Sequence, residues 1–298
     1  MVWASEVACG PSSFFEQAAM LRTLVFLTLW GIVPEALAGT LRVPQDHPTI
    51  QAAIAAAEPG DVVLVAPGRY TERIALRPRI TLRSAGDDAP GSRGLLRAEA
   101  TILDGGGQQG EQPGVVMAEG STLDGFTVTN VGKFDESLWK KHYDSQGEEL
   151  ADDEGAAHAE GTIPAIRAAG VECTVVHNIV HDNGDVGIAI LGAAGRRVAP
   201  VEEGNRVFRN LGGGIGIAEQ AEPIVRNNAC YENLRAGIGC RQSSPLLLDN
   251  RCFRNVRAGI GCREGARPLI RGNKCYQNRR AGIGIRMPGT APLVEDNE

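Results

Sequence analysis

The stretch Ala236-Gly237-Ile238-Gly239-Cys240-Arg241, continued by Pro245-Leu246-Leu247-Leu248-Asp249-Asn250-Arg251-Cys252-Phe253-Arg254-Asn255, decides the fold. Its Gly-Ile-Gly centre recurs at Gly214-Ile215-Gly216, Gly259-Ile260-Gly261 and Gly282-Ile283-Gly284, one copy every 22 or 23 residues. Pro223, Pro245, Pro268 and Pro292 keep the same phase, as do Asn228, Asn250, Asn273 and Asn297. Weaker copies lie upstream around Asn178 with Gly187, and from Asn205. A unit this short cannot bury its own apolar face, so it must stack on its neighbours.

Alignment on the proline shows what is stacked. Two residues on stand Val225, Leu247, Ile270 and Val294; five on is always Asn. Seven on stand Cys230, Cys252 and Cys275, eight on Tyr231, Phe253 and Tyr276, and ten on Asn233, Asn255 and Asn278. Alternating apolar positions separated by turn residues describe short strands bent into a coil. Parallel stacked coils lie about 4.8 Å apart, so each position becomes a ladder of like residues. Asn ladders can stack their amides and satisfy turn backbone. Glycine on both sides of the central isoleucine permits tight backbone geometry.

Upstream of the repeat, Pro48 and Thr49 open an Ala-rich helical stretch through Ala57 that suits a cap on the first coil. Val62–Val65 reads as a buried strand, and strand-turn alternation continues through Ile80-Thr81-Leu82, Ile102–Asp104 and Leu123–Val128. Residues 132–162 break the pattern with an acidic insertion. The chain stops mid-repeat at Glu298, from which a truncated C-terminal end is expected.

The 298 residues are 43% hydrophobic and 22% charged with net charge -6, an ordinary globular composition for which nucleic acid is not the expected partner. Arg22, the apolar run Leu24–Val33 and Ala36-Leu37-Ala38 form an export signal cut after Ala38. The run is too short for a membrane span. Residues 1–19 are unlike a signal and read as a mis-called start before Met20, the alternative being a long signal that begins at Met1. The expected organisation is therefore a signal at 20–38 and one repeat domain at 39–298. The mature chain is expected to be secreted or periplasmic, with no transmembrane segment.

The run from Ala236 to Asn255 resembles the right-handed parallel β-helix repeat of the pectin-lyase-like superfamily, in its carbohydrate-binding/sugar-hydrolase (CASH) form. Thr49-Ile50-Gln51-Ala52-Ala53-Ile54 through Ala66-Pro67-Gly68-Arg69-Tyr70 resembles the first coil of such proteins. The resemblance covers roughly residues 40–298 and implies an all-β, right-handed parallel β-helix with a short N-terminal capping helix. It implies no single activity, since the superfamily includes lyases, hydrolases, epimerases, esterases and proteins without catalysis. The Asp-Pro-His-Asp run of alginate epimerases, the Asn-Thr-Asp and Arg-Ile-Lys elements of polygalacturonase-like hydrolases and the Gly-x-x-Asp-Phe-Ile-Phe-Gly stretch of pectin esterases are all absent, so it carries over no catalytic residue.

The residues themselves offer four candidate sites. Arg235, Arg257 and Arg280 form one column and Arg241, Arg263 and Arg286 another, flanking the Gly-Ile-Gly strand. They read either as a track for a repeating anion such as a uronate polymer or as a solvated face. Tyr231, Phe253 and Tyr276, with Phe208 and His181 upstream, read as a sugar platform or as a stabilising stack. The insertion offers Trp139 and Tyr143 for stacking on a sugar, and Asp152, Asp153 and Glu154 as hard oxygen ligands for Ca²⁺. His177, His181, Asp182 and Asp185, on the first regular coil after the insertion, are the acid–base candidates for a cleft beneath it. The Cys240 and Cys262 positions alternate with Ile217 and Ile285, and the Cys230 column continues as Val207 and Val180, which favours buried thiols over disulfides or a soft-metal ladder.

The expected function is binding of a polysaccharide, an anionic one, along the outer strand face. Any catalysis would be lyase- or hydrolase-like. The alternatives are a structural or adhesive surface solenoid with no small ligand, and a periplasmic accessory factor for metalloprotein maturation, a role known for another CASH-type protein; a protein partner is compatible with each.

Overall fold

The computed structural model describes residues 38–107, 112–145 and 163–298. The signal segment through Leu37 and the calcium candidates Asp152, Asp153 and Glu154 lie outside them. Three parallel sheets run the length of the described chain. One has ten strands, from Thr40–Val43 to Leu293–Glu295; the other two have eight each. Each coil adds one strand to each sheet, so neighbours in a sheet come from successive coils. The fold is the expected all-β parallel β-helix of about ten turns.

Inward-facing residues build the core as ladders. In the ten-stranded sheet Leu82, Leu123, Val175, Glu202, Val225, Leu247 and Ile270 are in register. In a second sheet Leu103, Val128, Val180, Val207, Cys230, Cys252 and Cys275 follow one another. In the third, Ile166, Ile188, Ile215, Ile238, Ile260 and Ile283 do the same. Cysteine takes its turn in ladders of Val and Ile, and the described cysteines are free thiols.

The asparagine columns form two fully interlocked ladders. Asn178, Asn205, Asn228, Asn250 and Asn273 are essentially without exposure. Asn228 Oδ1 accepts from the Asn205 amide N–H at 2.9 Å and from its Nδ2 at 3.0 Å, while Asn228 Nδ2 donates to the Glu202 carbonyl at 2.9 Å. A second ladder runs through Asn183, Asn210, Asn233, Asn255 and Asn278. Each amide thus satisfies its own hydrogen-bonding groups and those of a neighbouring coil, which is what makes a buried polar column affordable. The residue before each ladder Asn is commonly left-handed, as at His177 (φ 58°), Asp182 (φ 51°) and Asp249 (φ 54°).

Helix α1, Ile50–Ala56, is the expected cap helix: Thr49 Oγ1 accepts from the Ala52 N–H at 3.1 Å, and Ile50, Ala53 and Ile54 are buried. Two helices were not expected. Helix α2, Leu96–Ala100, sits in a long excursion, and helix α3, Glu136–Asp144, opens the insertion with Asp135 as its N-cap. Leu123–Val128 divides into two strands, Ser121–Asp124 and Thr127–Thr129, at Gly125-Phe126.

Candidate functional site

The outer face of the third sheet is a trough. Along Ile238–Arg241 the chain alternates: Ile238 and Cys240 point inward, Gly239 and Arg241 outward. The outward glycines Gly216, Gly239, Gly261 and Gly284 are in register, with Ala189 and then Arg167 upstream in the same column. Ala236, Ala258 and Ala281 lie beside them. The column of Arg235, Arg257 and Arg280 makes one wall and that of Arg241, Arg263 and Arg286 the other, around a groove of about 390 Å³. The first wall is tied along its backbone, with the Arg257 N–H donating to the Arg235 carbonyl at 3.3 Å and that of Arg280 to Arg257 at 3.2 Å. In the second, Glu264 lies 3.8 Å from Arg241 and 3.4 Å from Arg263, offsetting repulsion between stacked guanidiniums.

The two glycines of each Gly-Ile-Gly do different work. A Cβ on Gly237 would come 2.8 Å from the Gly259 carbonyl oxygen, and one on Gly259 2.8 Å from that of Gly282. These first glycines are demanded by the next coil. A Cβ on Gly239 would meet nothing within 4 Å; on Gly261 or Gly284 it would touch only alanine methyls, the nearest at 3.5 and 3.6 Å. Packing does not require glycine on the trough floor, and glycine in a strand costs about 0.5–1 kcal/mol against alanine. What it leaves is a strip of bare backbone between two rows of cations.

The aromatic column stands on the outer face of the second sheet. His181, Phe208, Tyr231, Phe253 and Tyr276 stack face to face with centroids 4.9, 4.7, 4.8 and 5.0 Å apart. Each inner ring has both faces covered by its neighbours, so Tyr231 and Phe253 present edges outward. Tyr276, at the end, is 38% exposed. Burial pushes the Tyr231 phenol up to about 12. Trp139 is 7% exposed: it stacks on Tyr143 at 4.6 Å, lies under the Arg209 guanidinium at 4.2 Å and donates Nε1–H to the Glu232 carbonyl at 3.1 Å. Its indole docks helix α3 on the solenoid beside Leu234 and Val256.

The four acid–base candidates do not converge. His177 Nδ1 lies 3.1 Å from Asp124 Oδ1, in a cluster where Asp124 and Asp88 hold the buried Arg97. Asp185 lies at the upstream end of the arginine trough. Only His181 and Asp182 stay together, with Nδ1 2.8 Å from Oδ2, in a second cleft of about 330 Å³ that Arg69, Asn130 and Phe134 also line. Burial would raise the Asp182 carboxyl, but hydrogen bonds from His181 and Arg209 hold it below its ordinary value. No group of three or more His, Cys, Asp or Glu side chains suited to a metal occurs among the described residues. None of their helices is long and apolar enough to cross a membrane.

Sequence reading missed Arg167, Arg97 and Glu202. Glu202 is fully buried in the core column between Val175 and Val225, and neither carboxylate oxygen has a hydrogen-bond partner. Burial raises its pKa well above the ordinary value.

Residues 164–298 match the family model described as a right handed beta helix region. The fold is thus a right-handed parallel β-helix. The comparison with curated proteins finds no match. Among solved structures, the A-module of the mannuronan C-5 epimerase AlgE4 of Azotobacter vinelandii is similar, with a TM-score of 0.53 and 17% identity over 83% of this chain and 71% of that one. The tailspike protein gp49 of Acinetobacter baumannii bacteriophage Fri1, a capsular polysaccharide depolymerase, also has a TM-score of 0.53, with 10% identity over 88% of this chain and 48% of that one. At such identities the likeness is one of fold.

Proposed function

We propose that this protein is an exported β-helix that binds an acidic polysaccharide in the arginine-walled trough. The observation that carries the reading is the unforced glycine floor: Gly239 has open space above it, yet no side chain is placed there. A floor of backbone lets a polymer lie flat, while guanidinium forks at both edges suit carboxylate or sulfate groups. Both structural relatives named above act on polysaccharides by their descriptions, an epimerase on mannuronan and a depolymerase on capsular polysaccharide.

Affinity electrophoresis through gels holding alginate, polygalacturonate, xylan or no polymer tests the proposal. Retardation by the acidic polymers alone, relieved by salt, is expected. Unchanged migration in every gel would leave a structural solenoid as the account. A second activity, modification of a glycan held in the second cleft rather than in the trough, is favoured by one observation: His181 and Asp182 are paired there, where an imidazole oriented at Nδ1 can serve as a base. New reducing ends or unsaturated products on incubation with each polymer would reveal it; His181→Gln would then abolish them.

A further inference from the structure

The trough reads more than charge. We infer that its ligand is a flat, twofold ribbon of 1,4-linked sugar acids, joined through equatorial bonds, with acid groups on alternating edges. The inference rests on the proposed polysaccharide-binding role and specifies its substrate class.

The argument begins with the axial repeat. The stacked rings of the neighbouring sheet measure the advance per coil directly, 4.7 to 5.0 Å. A pyranose in an extended 1,4-linked chain advances by a similar length, so a chain laid along the solenoid axis sets one sugar over each coil. Three successive coils each place one arginine on each wall: Arg235 and Arg241, Arg257 and Arg263, Arg280 and Arg286. The recognition pattern thus repeats once per sugar and is duplicated on the two edges.

The shape of the floor selects among polymers with one acid per sugar. Gly216, Gly239, Gly261 and Gly284 are in register on parallel strands, so the strip between the walls runs unbroken from coil to coil. An α-1,4-galacturonan, linked through axial bonds and wound as a helix, sends its acids away from the axis in several directions, some upward into solvent and some down against the floor. Equatorial linkage at both carbons gives a ribbon in which each sugar is turned over relative to the last. Its acids lie in the plane of the ribbon and point to opposite edges in turn. A one-walled site would catch every second acid. Two walls catch all of them, and a shift of one sugar along the trough swaps the walls while preserving the pairing.

The strip also has a length. Arg167 occupies the glycine column one coil before Ala189, so a long side chain replaces bare floor there. From Ala189 to Gly284 the strip covers four steps of about 4.8 Å each, or room for about five sugars.

Calorimetric titration of the whole protein at low salt tests this with two oligosaccharide series matched in length and charge. One is β-1,4-linked glucuronate, made by oxidising cello-oligosaccharides; the other is α-1,4-linked galacturonate. The glucuronate series is expected to bind at least tenfold more tightly, with affinity rising steeply over the first three sugars, one for each arginine pair, and levelling by about five. Arg257→Gln and Arg263→Gln, one on each wall, should each weaken it several-fold while leaving the circular dichroism spectrum unchanged. Equal or tighter binding of the galacturonate series would overturn the ribbon inference and leave acidic-glycan binding standing, as would a loss confined to one wall. Absence of binding by either series would sink the polysaccharide-binding role itself and this inference with it.

Discussion

Replacing Glu202 by valine should make this protein more stable, and increasingly so as pH rises. The carboxyl group occupies a core column whose neighbours above and below are Val175 and Val225, with no exposure and no partner for either oxygen. A buried polar group left without a hydrogen bond costs about 1–3 kcal/mol even when neutral. Titration adds to this. Burial raises the folded-state pKa of Glu202 well above its unfolded value. The folded chain therefore holds a proton that the unfolded chain releases once pH exceeds the ordinary glutamate range. Stability linked to this group is fully present below the unfolded pKa and is lost as pH climbs toward the folded one, at about 1.4 kcal/mol per pH unit. Glu202→Val removes both penalties, the gain starting near 1–3 kcal/mol in mild acid and growing with pH. Glu202→Gln separates them, since it abolishes the slope but keeps a buried polar end. Urea unfolding followed by circular dichroism from pH 4 to 8 measures both. A wild-type-minus-variant difference that stays flat with pH, or a valine variant less stable than the wild type at neutral pH, would refute the reasoning.

Three further outcomes follow from the structure. Gly239→Ala should gain about 0.5–1 kcal/mol of stability, because its methyl enters open space, yet weaken acidic-glycan binding; Gly237→Ala should lose at least about 2 kcal/mol, because its methyl would press on the Gly259 carbonyl. Thermal melts beside affinity electrophoresis read both. Asn250→Ala removes the Nδ2 bond to the Val225 carbonyl and the acceptor for the Asn228 amide, at a cost of about 2–4 kcal/mol in urea unfolding. Arg97→Met strips Asp124 of a bonded cation deep in the wall, for a loss of about 3–5 kcal/mol by the same measurement, whereas Arg83→Met, on the exposed side of the same carboxylate, should cost under about 1 kcal/mol.

How far the fold could be read from the chain depends on the repeat. Where residues recur at fixed spacing, each column tests its neighbours: cysteine exchanging with valine and isoleucine had to be core, and asparagine recurring without exception had to be a ladder. The two glycines of Gly-Ile-Gly look alike in sequence, and only the backbone of the adjacent coil shows that Gly237 is crowded and Gly239 is not. The excursion holding helix α2 and the insertion holding helix α3 have no counterpart in other coils, so neither Arg97 nor the docking of Trp139 had a column to be judged against. His177, His181, Asp182 and Asp185 are close in sequence, but a coil turns corners within that span and sends them to different faces. Glu202 was legible and passed over: it stands two residues after Pro200, the position held elsewhere by Val225, Leu247 and Ile270.

The asparagine ladders also bear on how such a protein changes over evolutionary time. Each Asn bonds the coil before it and is bonded by the next in the same way, from Asn178 through Asn273. An inserted or deleted copy of the unit would meet the same partners on either side, so the seam would heal without new inventions. Length is then a heritable dimension in its own right. Duplication of a single 22-residue unit such as that from Gly237 to Gly259 would extend the trough by one arginine pair. A lineage could in this way match its groove to longer or shorter stretches of polymer by unequal crossing-over, one sugar at a time.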